Sequence, residues 1–427
     1  MKFPFSLPLL LDGATGTNLL ERGMPRNVCV EEWICQNPSI LQQLQKEFID
    51  AGAQAIYAPT FGANRACLAR YGLEDKVEEF NRKLVALSKQ VAKPKNILVG
   101  GSLCPTGLFV PPHGEADFDD IYEIYREQIR VLDEAEVDFF IIETQTSLAD
   151  MRAAVLAARS TNLPVFVTIT VDKNGQTATG GTLLPIMITL QSMGVDAIGL
   201  NCSFGPEDMT EFINDIAQHS RVPIIAKPNA GLPSHYNGGN GYLSPDEFSY
   251  RMESLMEAGA TIIGGCCGTT PEHIAALRGM LQNRQDDFYH SELETEDIDD
   301  YAAAIESESF FLSDHLTYSE PIECSVSLGD DFIDLDDERS NVALVEINSM
   351  DDALLLAEYG HMSRLPIAVR AESLPILDAA LRYFQGRLLI DSECCIEPEA
   401  LDTIAAKYGD FQQADAVIFV LFYSIVY

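Results

Sequence analysis

The residues best suited to chemistry in this sequence are three cysteines: Cys202 in Gly199-Leu200-Asn201-Cys202, and the adjacent pair in Gly264-Gly265-Cys266-Cys267-Gly268. Each closes an apolar, strand-like run and is followed by loop residues. Neighbouring side chains of a strand point to opposite faces, so Cys266 and Cys267 can converge on one point only where the chain leaves the strand. The flanking glycines make that bend cheap. Three thiolates and a vacant fourth position describe an open, catalytic type of zinc site, because structural zinc sites close the tetrahedron with four protein ligands. Other readings stand beside it: Cys202 alone can be a small buried hydrophobe, and Cys266-Cys267 a redox pair or plain core. Their shared position at strand ends favours the metal. Zinc held by three thiolates is a modest Lewis acid that generates little hydroxide. It does bind a soft thiol strongly and stabilises the thiolate, which is the nucleophile.

Acidic residues end other apolar runs. Asp12 follows Leu9-Leu10-Leu11 and opens Asp12-Gly13-Ala14-Thr15-Gly16-Thr17, and Glu143 follows Phe139-Phe140-Ile141-Ile142. Taken singly, Asp-Gly is usually a turn, and a lone Glu at a strand end a surface residue. If one architecture brings all these ends to one rim, the two carboxylates suit an ammonium group. The backbone N–H groups of Gly13 to Thr15, just ahead of a helix, suit a carboxylate. A thiol, an ammonium and a carboxylate in one small molecule describe a thiol amino acid.

The elements that must position these groups alternate regularly. Strands are expected over 9–11, 54–58, 96–103, 138–142, 164–171, 197–200, 223–227 and 261–265. Helices are expected over 16–22, 39–51 with Ser39 as N-cap, 75–91, 118–135, onward from Glu143-Thr144-Gln145 to 160, then 185–193, 206–219, 244–258 and 271–281. Runs of Val, Ile and Leu without alternation are what parallel strands covered on both faces look like. Eight such units predict a (β/α)8 TIM barrel over residues 1–282, with its active site at the C-terminal ends of the strands. A doubly wound open sheet would carry a phosphate-binding G-x-G-x-x-G after the first strand, and none is there.

The rest of the chain differs. Residues 283–340 are rich in Asp, Glu and Ser and read as an acidic linker with one or two short helices. From 341 to 427 the rhythm returns, with strands over 342–347, 365–369, 387–390 and 416–422 and helices over 350–359, 373–384 and 397–408. This predicts a smaller α/β domain equivalent to half a barrel. Cys394-Cys395 has no nearby His or Cys and reads as core.

Composition bounds the partners and the compartment. Of 427 residues, 65 are Asp or Glu against 28 Lys or Arg, a formal charge of −37. That field repels nucleic acid and anionic membranes, and no stretch approaches the ~20 apolar residues needed to span a bilayer. Residues 1–11 pass into Asp12 with no cleavage-site pattern and read as a first strand rather than a signal peptide. The 10 cysteines make no disulfide framework in a chain of this length, which suits a reducing, cytoplasmic setting.

Six motifs in order carry a family resemblance: Asp12-Gly13-Ala14-Thr15-Gly16-Thr17, Thr60-Phe61-Gly62-Ala63-Asn64, Glu143-Thr144-Gln145, Gly199-Leu200-Asn201-Cys202, Lys227-Pro228-Asn229-Ala230-Gly231 and Gly264-Gly265-Cys266-Cys267-Gly268-Thr269. They resemble the zinc-dependent homocysteine S-methyltransferases over roughly residues 5 to 282, most nearly the N-terminal domain of cobalamin-dependent methionine synthases. The resemblance implies Cys202, Cys266 and Cys267 as zinc ligands and homocysteine as substrate. It also implies Asp12 and Glu143 at the substrate amino group, backbone around Gly13, Ala14 and Thr15 at its carboxylate, and Asn201 as a further substrate-binding residue. The reaction it implies is in-line displacement, the homocysteine thiolate attacking an activated methyl group. The donor would be methylcobalamin, supplied in trans on a corrinoid protein. A small donor such as S-methylmethionine or betaine is the alternative, and a non-catalytic zinc-binding scaffold a further one.

Residues 341–427 resemble part of the pterin-binding barrel that follows in methionine synthases, with departures. The family's Ile-Asp-Ser is here Val369-Arg370-Ala371, its Asn-Ser is Asp391-Ser392, and the Gly-Glu-Arg start is missing. Arg370 in place of a pterin-binding Asp inverts the interaction. Little or no binding of methyltetrahydrofolate is expected.

Overall fold

The computed structural model describes residues 3–231, 242–283, 302–312, 315–335, 339–391, 393–394 and 396–408. The chain divides into two compact units. The first comprises Met1–Leu108, Asp119–Thr177 and Val195–Glu294, and the second Phe109–Phe118, Ala178–Gly194 and Thr295–Tyr427.

The first unit is built on eight parallel strands: β1 (Leu9–Leu10), β2 (Ala55–Ala58), β3 (Leu98–Leu103), β4 (Phe139–Gln145), β5 (Val165–Ile169), β6 (Ala197–Cys202), β7 (Ile224–Pro228) and β8 (Ala260–Ile263). They pair in sequence order, and β1 pairs with β8 through Leu9↔Ile262 and Leu10↔Ile263. A single bridge, Leu11↔Ala55, joins the first strand to the second and nearly closes the ring. This is the expected TIM-like barrel. Its interior follows from the two-residue strand period. Alternate residues Leu9 and Leu11, Ala55 and Tyr57, Phe139 and Ile141 face one core with Phe166, Ala197, Ile225 and Ile262, and Phe3 and Phe5 pack against it. The Phe139 and Phe166 rings lie 4.8 Å apart. At Gly199 a Cβ would come 1.9 Å from the Ile225 carbonyl oxygen, so only glycine lets β6 run this close to β7.

Local boundaries differ where tertiary pairing outweighs local pattern. β6 extends to Cys202 rather than stopping at residue 200, because Asn201 and Cys202 pair with Lys227 and Pro228. The helix expected from Ser39 begins at Pro38 with Asn37 as its cap residue, so Ser39 sits in the first turn. Proline at the first helical position is pre-organised for that start. Two further helices were not anticipated, Val30–Gln36 and Arg65–Ala69.

The second unit holds two sheets. Strands β9 (Ala302–Ile305), β10 (Ser309–Phe311) and β14 (Gly386–Arg387) form an antiparallel sheet in the order β10-β9-β14. The parallel sheet runs β11 (Ile322–Glu323), β12 (Ala343–Ile347), β13 (Ile367–Ala371), β15 (Leu389–Ile390). The acidic stretch read as linker therefore carries strands β9, β10 and β11 and the helix Leu328–Ile333. Burial explains this: Ala302 and Ala304 pack on Leu184 and Ile188 of the helix Leu183–Ser192, and Ala303 joins Val342, Leu344, Ala368 and Leu389. The strand expected over 416–422 lies outside the described residues, as does Cys395. Cys394 is half-buried, and its Sγ accepts from Ala371 N at 3.3 Å. Among the described residues, no helix is long and apolar enough to cross a membrane.

Candidate metal and substrate site

The three cysteines meet at the C-terminal ends of β6 and β8. Cys202 Sγ lies 2.8 Å from Cys266 Sγ and 3.8 Å from Cys267 Sγ, and all three sulfurs fall within 4.8 Å of one another. Among the described residues this is the one three-ligand cluster of Cys, His, Asp or Glu. Ligands ~2.3 Å from a tetrahedral zinc stand about 3.8 Å apart; Cys202 and Cys267 have that separation, while Cys202 and Cys266 stand closer and would have to spread to take the ion.

Backbone geometry produces the convergence. Cys202 adopts a left-handed φ of 59°, which turns its side chain out of the strand alternation. After β8 the chain leaves the sheet but stays pinned on both sides: Gly265 N–H donates to the Asp12 carbonyl at 3.1 Å and Cys266 N–H to the Pro228 carbonyl at 2.8 Å. Thr269 closes the turn, its Oγ1 donating to the Cys266 carbonyl at 2.7 Å, and Gly268 has a φ of 81°. Three thiols at this spacing cannot all ionise without a cation. Hydrogen bonds from Cys202 and Cys266 lower Cys267, while contacts with Cys266 and Cys267 hold Cys202 above the ordinary thiol range. A divalent metal held by the three sulfurs would supply the missing positive charge.

Asp12, at the end of the first strand, is only 2% exposed. Its Oδ1 accepts from Lys227 Nζ at 3.1 Å and its Oδ2 from Tyr57 N at 2.8 Å. Lys227 Nζ also sits 3.8 Å from the centre of the Tyr57 ring. Burial raises the Asp12 pKa, and the Lys227 charge works against that rise. Burial alone would depress Lys227, but Tyr57, Asp12 and Glu143 facing it hold it above its ordinary value.

Glu143 is half-buried on β4, and its Oε1 accepts from Ser102 Oγ at 2.6 Å. Burial raises its pKa to about 7 against the pull of Lys227 and Ser102. Ser102 is itself held by Thr60, whose Oγ1 accepts from Ser102 N at 3.0 Å. Asn201 is fully buried with both amide groups used: Oδ1 accepts from Thr144 N at 2.9 Å and Nδ2 donates to Thr144 Oγ1 at 2.8 Å. It thus clamps the residue after Glu143. Of the backbone donors at 13–15, Ala14 N–H is taken by Thr269 Oγ1 at 3.1 Å.

The sequence reading gave no role to Lys227, Tyr57, Ser102 or Thr60. One signal was present: a lysine inside the otherwise apolar run Ile224–Pro228 has to find a buried anion.

A barrel with these sulfurs and carboxylates at one rim defines a thiol-handling enzyme. The Homocysteine S-methyltransferase family profile matches residues 9–281, and the chain belongs to that family. A cysteine triad of this kind is typical of the zinc site in this family. The chain is 28% identical over 424 residues to the methionine synthase of Mycobacterium leprae, covering 89% of this chain and 35% of that protein. It is 32% identical over 291 residues to the methionine synthase of Mycobacterium tuberculosis, covering 64% of this chain and 24% of that protein. The chain thus spans about a third of the length of the first relative and about a quarter of the second. Among solved structures, the oxidised form of the homocysteine methyltransferase MmuM from Escherichia coli is similar in fold, with a TM-score of 0.55 at 24% identity. That match covers 64% of this chain and 95% of that one. The metallated form of the same enzyme gives 0.54.

Proposed function

We propose that the barrel transfers a methyl group to the thiol of homocysteine, giving methionine, with zinc on Cys202, Cys266 and Cys267. The observation that carries this reading is the meeting of three sulfurs at the same strand-end rim as the Asp12–Lys227 pair and Glu143. When bound, zinc supplies the positive charge that stabilises a thiolate at neutral pH. The protein does the rest by positioning. Glu143 is the carboxylate with capacity to spare, since both oxygens of Asp12 are engaged, and it takes the substrate ammonium. Asp12 acts through Lys227 and through its carbonyl bond to Gly265, and Asn201 acts by fixing Thr144 beside Glu143. The backbone of Gly13 and Thr15 faces the substrate carboxylate, a role carried over from the family resemblance.

Methylcobalamin on a corrinoid protein is the proposed donor. Supporting it, the similarity to a methionine synthase extends over 424 residues, well past the barrel. A screen of the zinc-loaded protein with methylcobalamin, S-methylmethionine and betaine tests this. Methionine formed fastest from methylcobalamin is expected. Turnover with a small donor alone replaces the donor, and no turnover with any of them leaves the zinc-binding scaffold as the better reading. A cytoplasmic setting suits three reduced thiols.

Glu143→Gln is expected to raise the KM for homocysteine by about 10- to 150-fold, the loss of a charge-assisted bond of ~1.5–3 kcal/mol, with zinc content unchanged. The carboxylate form pairs with ammonium and the pKa stands at about 7, so wild-type affinity should weaken as pH falls through that value. The variant should lose this component of the pH profile. Equal pH profiles for the two proteins would remove Glu143 from the amino-group role.

In the second unit, Arg370 is fully engaged: 2.5 Å to Asp391, 2.6 Å to Glu393 and 3.4 Å to Glu346, its cross-strand neighbour. A guanidinium carries donors only, and Arg370, tied to these carboxylates, stands where the family's Asp would accept from the pterin. Isothermal titration with methyltetrahydrofolate should give no heat in the micromolar range, and micromolar binding would refute the assignment.

A further inference from the structure

A second pair of cysteines in the barrel unit is outside the site described above. Cys67 lies on the short helix Arg65–Ala69 after β2, and Cys104 follows directly on Leu103, the last residue of β3. Their sulfurs are 3.5 Å apart. Asn64 holds both: its Oδ1 accepts from Cys67 N at 2.8 Å and its Nδ2 donates to Cys104 Sγ at 3.3 Å. The Pro105 carbonyl accepts from Cys104 Sγ at 3.2 Å and from Cys67 Sγ at 3.7 Å. The two cysteines differ in access. Cys104 is 3% exposed, whereas Cys67 is only half-buried. Closing the pair to a disulfide needs a sulfur movement of about 1.5 Å, set by the ~2.05 Å bond length.

From this geometry we propose that Cys67 and Cys104 form a reversible dithiol–disulfide site, oxidised by small-molecule disulfides and separate from the metal-binding triad. Cys67 is the attacking thiol and Cys104 the resolving one. The Cys67 thiolate, its proton given to solvent, attacks one sulfur of the disulfide R–S–S–R. A mixed disulfide forms at Cys67 and one RS⁻ leaves to take up a proton. Cys104 then loses its proton and attacks the Cys67 sulfur, expelling the second RS⁻, so the protein is oxidised by two electrons and R–S–S–R reduced to two R–SH. The order agrees with the charges around the pair. The Cys104 contact and the nearby Arg70 and Asn64 lower Cys67 to about 7, close to the optimum for an attacking thiol. Cys104 is held above the ordinary thiol range by that same contact and by burial.

The pair is coupled to the catalytic rim through the backbone. Cys104 stands two residues after Ser102, which donates to Glu143, and Cys67 three residues after Asn64 in the loop that carries Thr60. Closing the disulfide draws these two loops together. Any effect on homocysteine KM rests on the proposed function of Glu143; formation of the bond does not.

The test uses the whole 427-residue chain, zinc-loaded, treated with oxidised glutathione, then trapped with an alkylating agent and mapped by mass spectrometry without reduction. A Cys67–Cys104 cross-linked peptide is expected, reversed by dithiothreitol, with zinc content unchanged. Cys104→Ser should accumulate one glutathione adduct at Cys67, and Cys67→Ser should form neither adduct nor cross-link at Cys104. Both thiols remaining alkylated while zinc is retained overturns the proposal. So does oxidation confined to Cys202, Cys266 and Cys267 with loss of zinc. The wild-type measurement stands if either variant fails to fold.

Discussion

Cys266→Ala is expected to bring the zinc content of the purified protein from about one equivalent per chain to near zero, and methyl transfer to homocysteine with it. Cys266 Sγ lies 2.8 Å from Cys202 Sγ, and its backbone is fixed on both sides of the turn by Pro228 and Thr269. Its sulfur has little freedom to be replaced by another donor. Structural zinc sites with four ligands bind with ~10–16 kcal/mol, so one lost thiolate costs roughly 3–4 kcal/mol, or about 10²- to 10³-fold in affinity. Removing the sulfur should leave the fold intact, because its backbone bonds do not depend on the side chain. Zinc by mass spectrometry, thermal melting and methyl transfer measured on one preparation check this. Unchanged zinc with an unchanged melting temperature would remove Cys266 from the ligand set. Loss of metal with retained transfer would detach the metal from the reaction.

Much of the candidate site was legible because a parallel barrel brings its strand ends to one rim. Asp12, Glu143, Cys202 and Cys266 each end an apolar run, and the strand order places those ends on one rim. The turn that lets Cys266 and Cys267 converge with Cys202 was legible too, in Gly264, Gly265 and Gly268. What could not be read was pairing without a local signature. Asp12 and Lys227 are 215 positions apart, and nothing near either residue names its partner. Asn201 illustrates a related gap: a polar residue beside a candidate cysteine ligand reads as substrate-binding, yet its amide is spent on Thr144. In the second unit, charge concealed structure. The run Ala302-Ala303-Ala304-Ile305 is short and flanked by acidic residues, and it becomes a strand only because two other elements bury it. The Asn64–Cys67–Cys104 contact was missed for the same reason, since its members come from two different βα loops.

Lys227→Met is expected to destabilise the barrel by about 3–5 kcal/mol, the cost of leaving one member of a buried ion pair without its partner. Methionine matches the length of the lysine stem, so packing against Tyr57 is largely kept and the loss falls on charge. The Asp12 carboxylate then keeps backbone N–H donors, Tyr57 N at 2.8 Å among them, but no countercharge, in a position 2% exposed. Without the ammonium, burial is left as the main influence, and the folded-state pKa of Asp12 rises further above its unfolded value. A folded state that binds the proton more tightly loses stability as pH rises, by up to ~1.4 kcal/mol per unit for one group. The variant should therefore be closest to wild type near the unfolded carboxylate pKa and fall away toward neutral pH, in urea titrations run at several pH values. Asp12→Asn combined with Lys227→Met removes the orphaned charge and should recover most of the loss, because an amide can still accept from Tyr57. Recovery of stability need not bring recovery of function. The Asp12 carbonyl holds Gly265, and through it the turn that presents Cys266 and Cys267, so zinc affinity in the double variant reports whether the ion pair positions that turn. If Lys227→Met alone is as stable as wild type at neutral pH, Asp12 is neutral in the native protein. Lys227 would then be the charge free to face the substrate, and its place in the site would have to be redrawn around a carboxylate ligand rather than a structural partner.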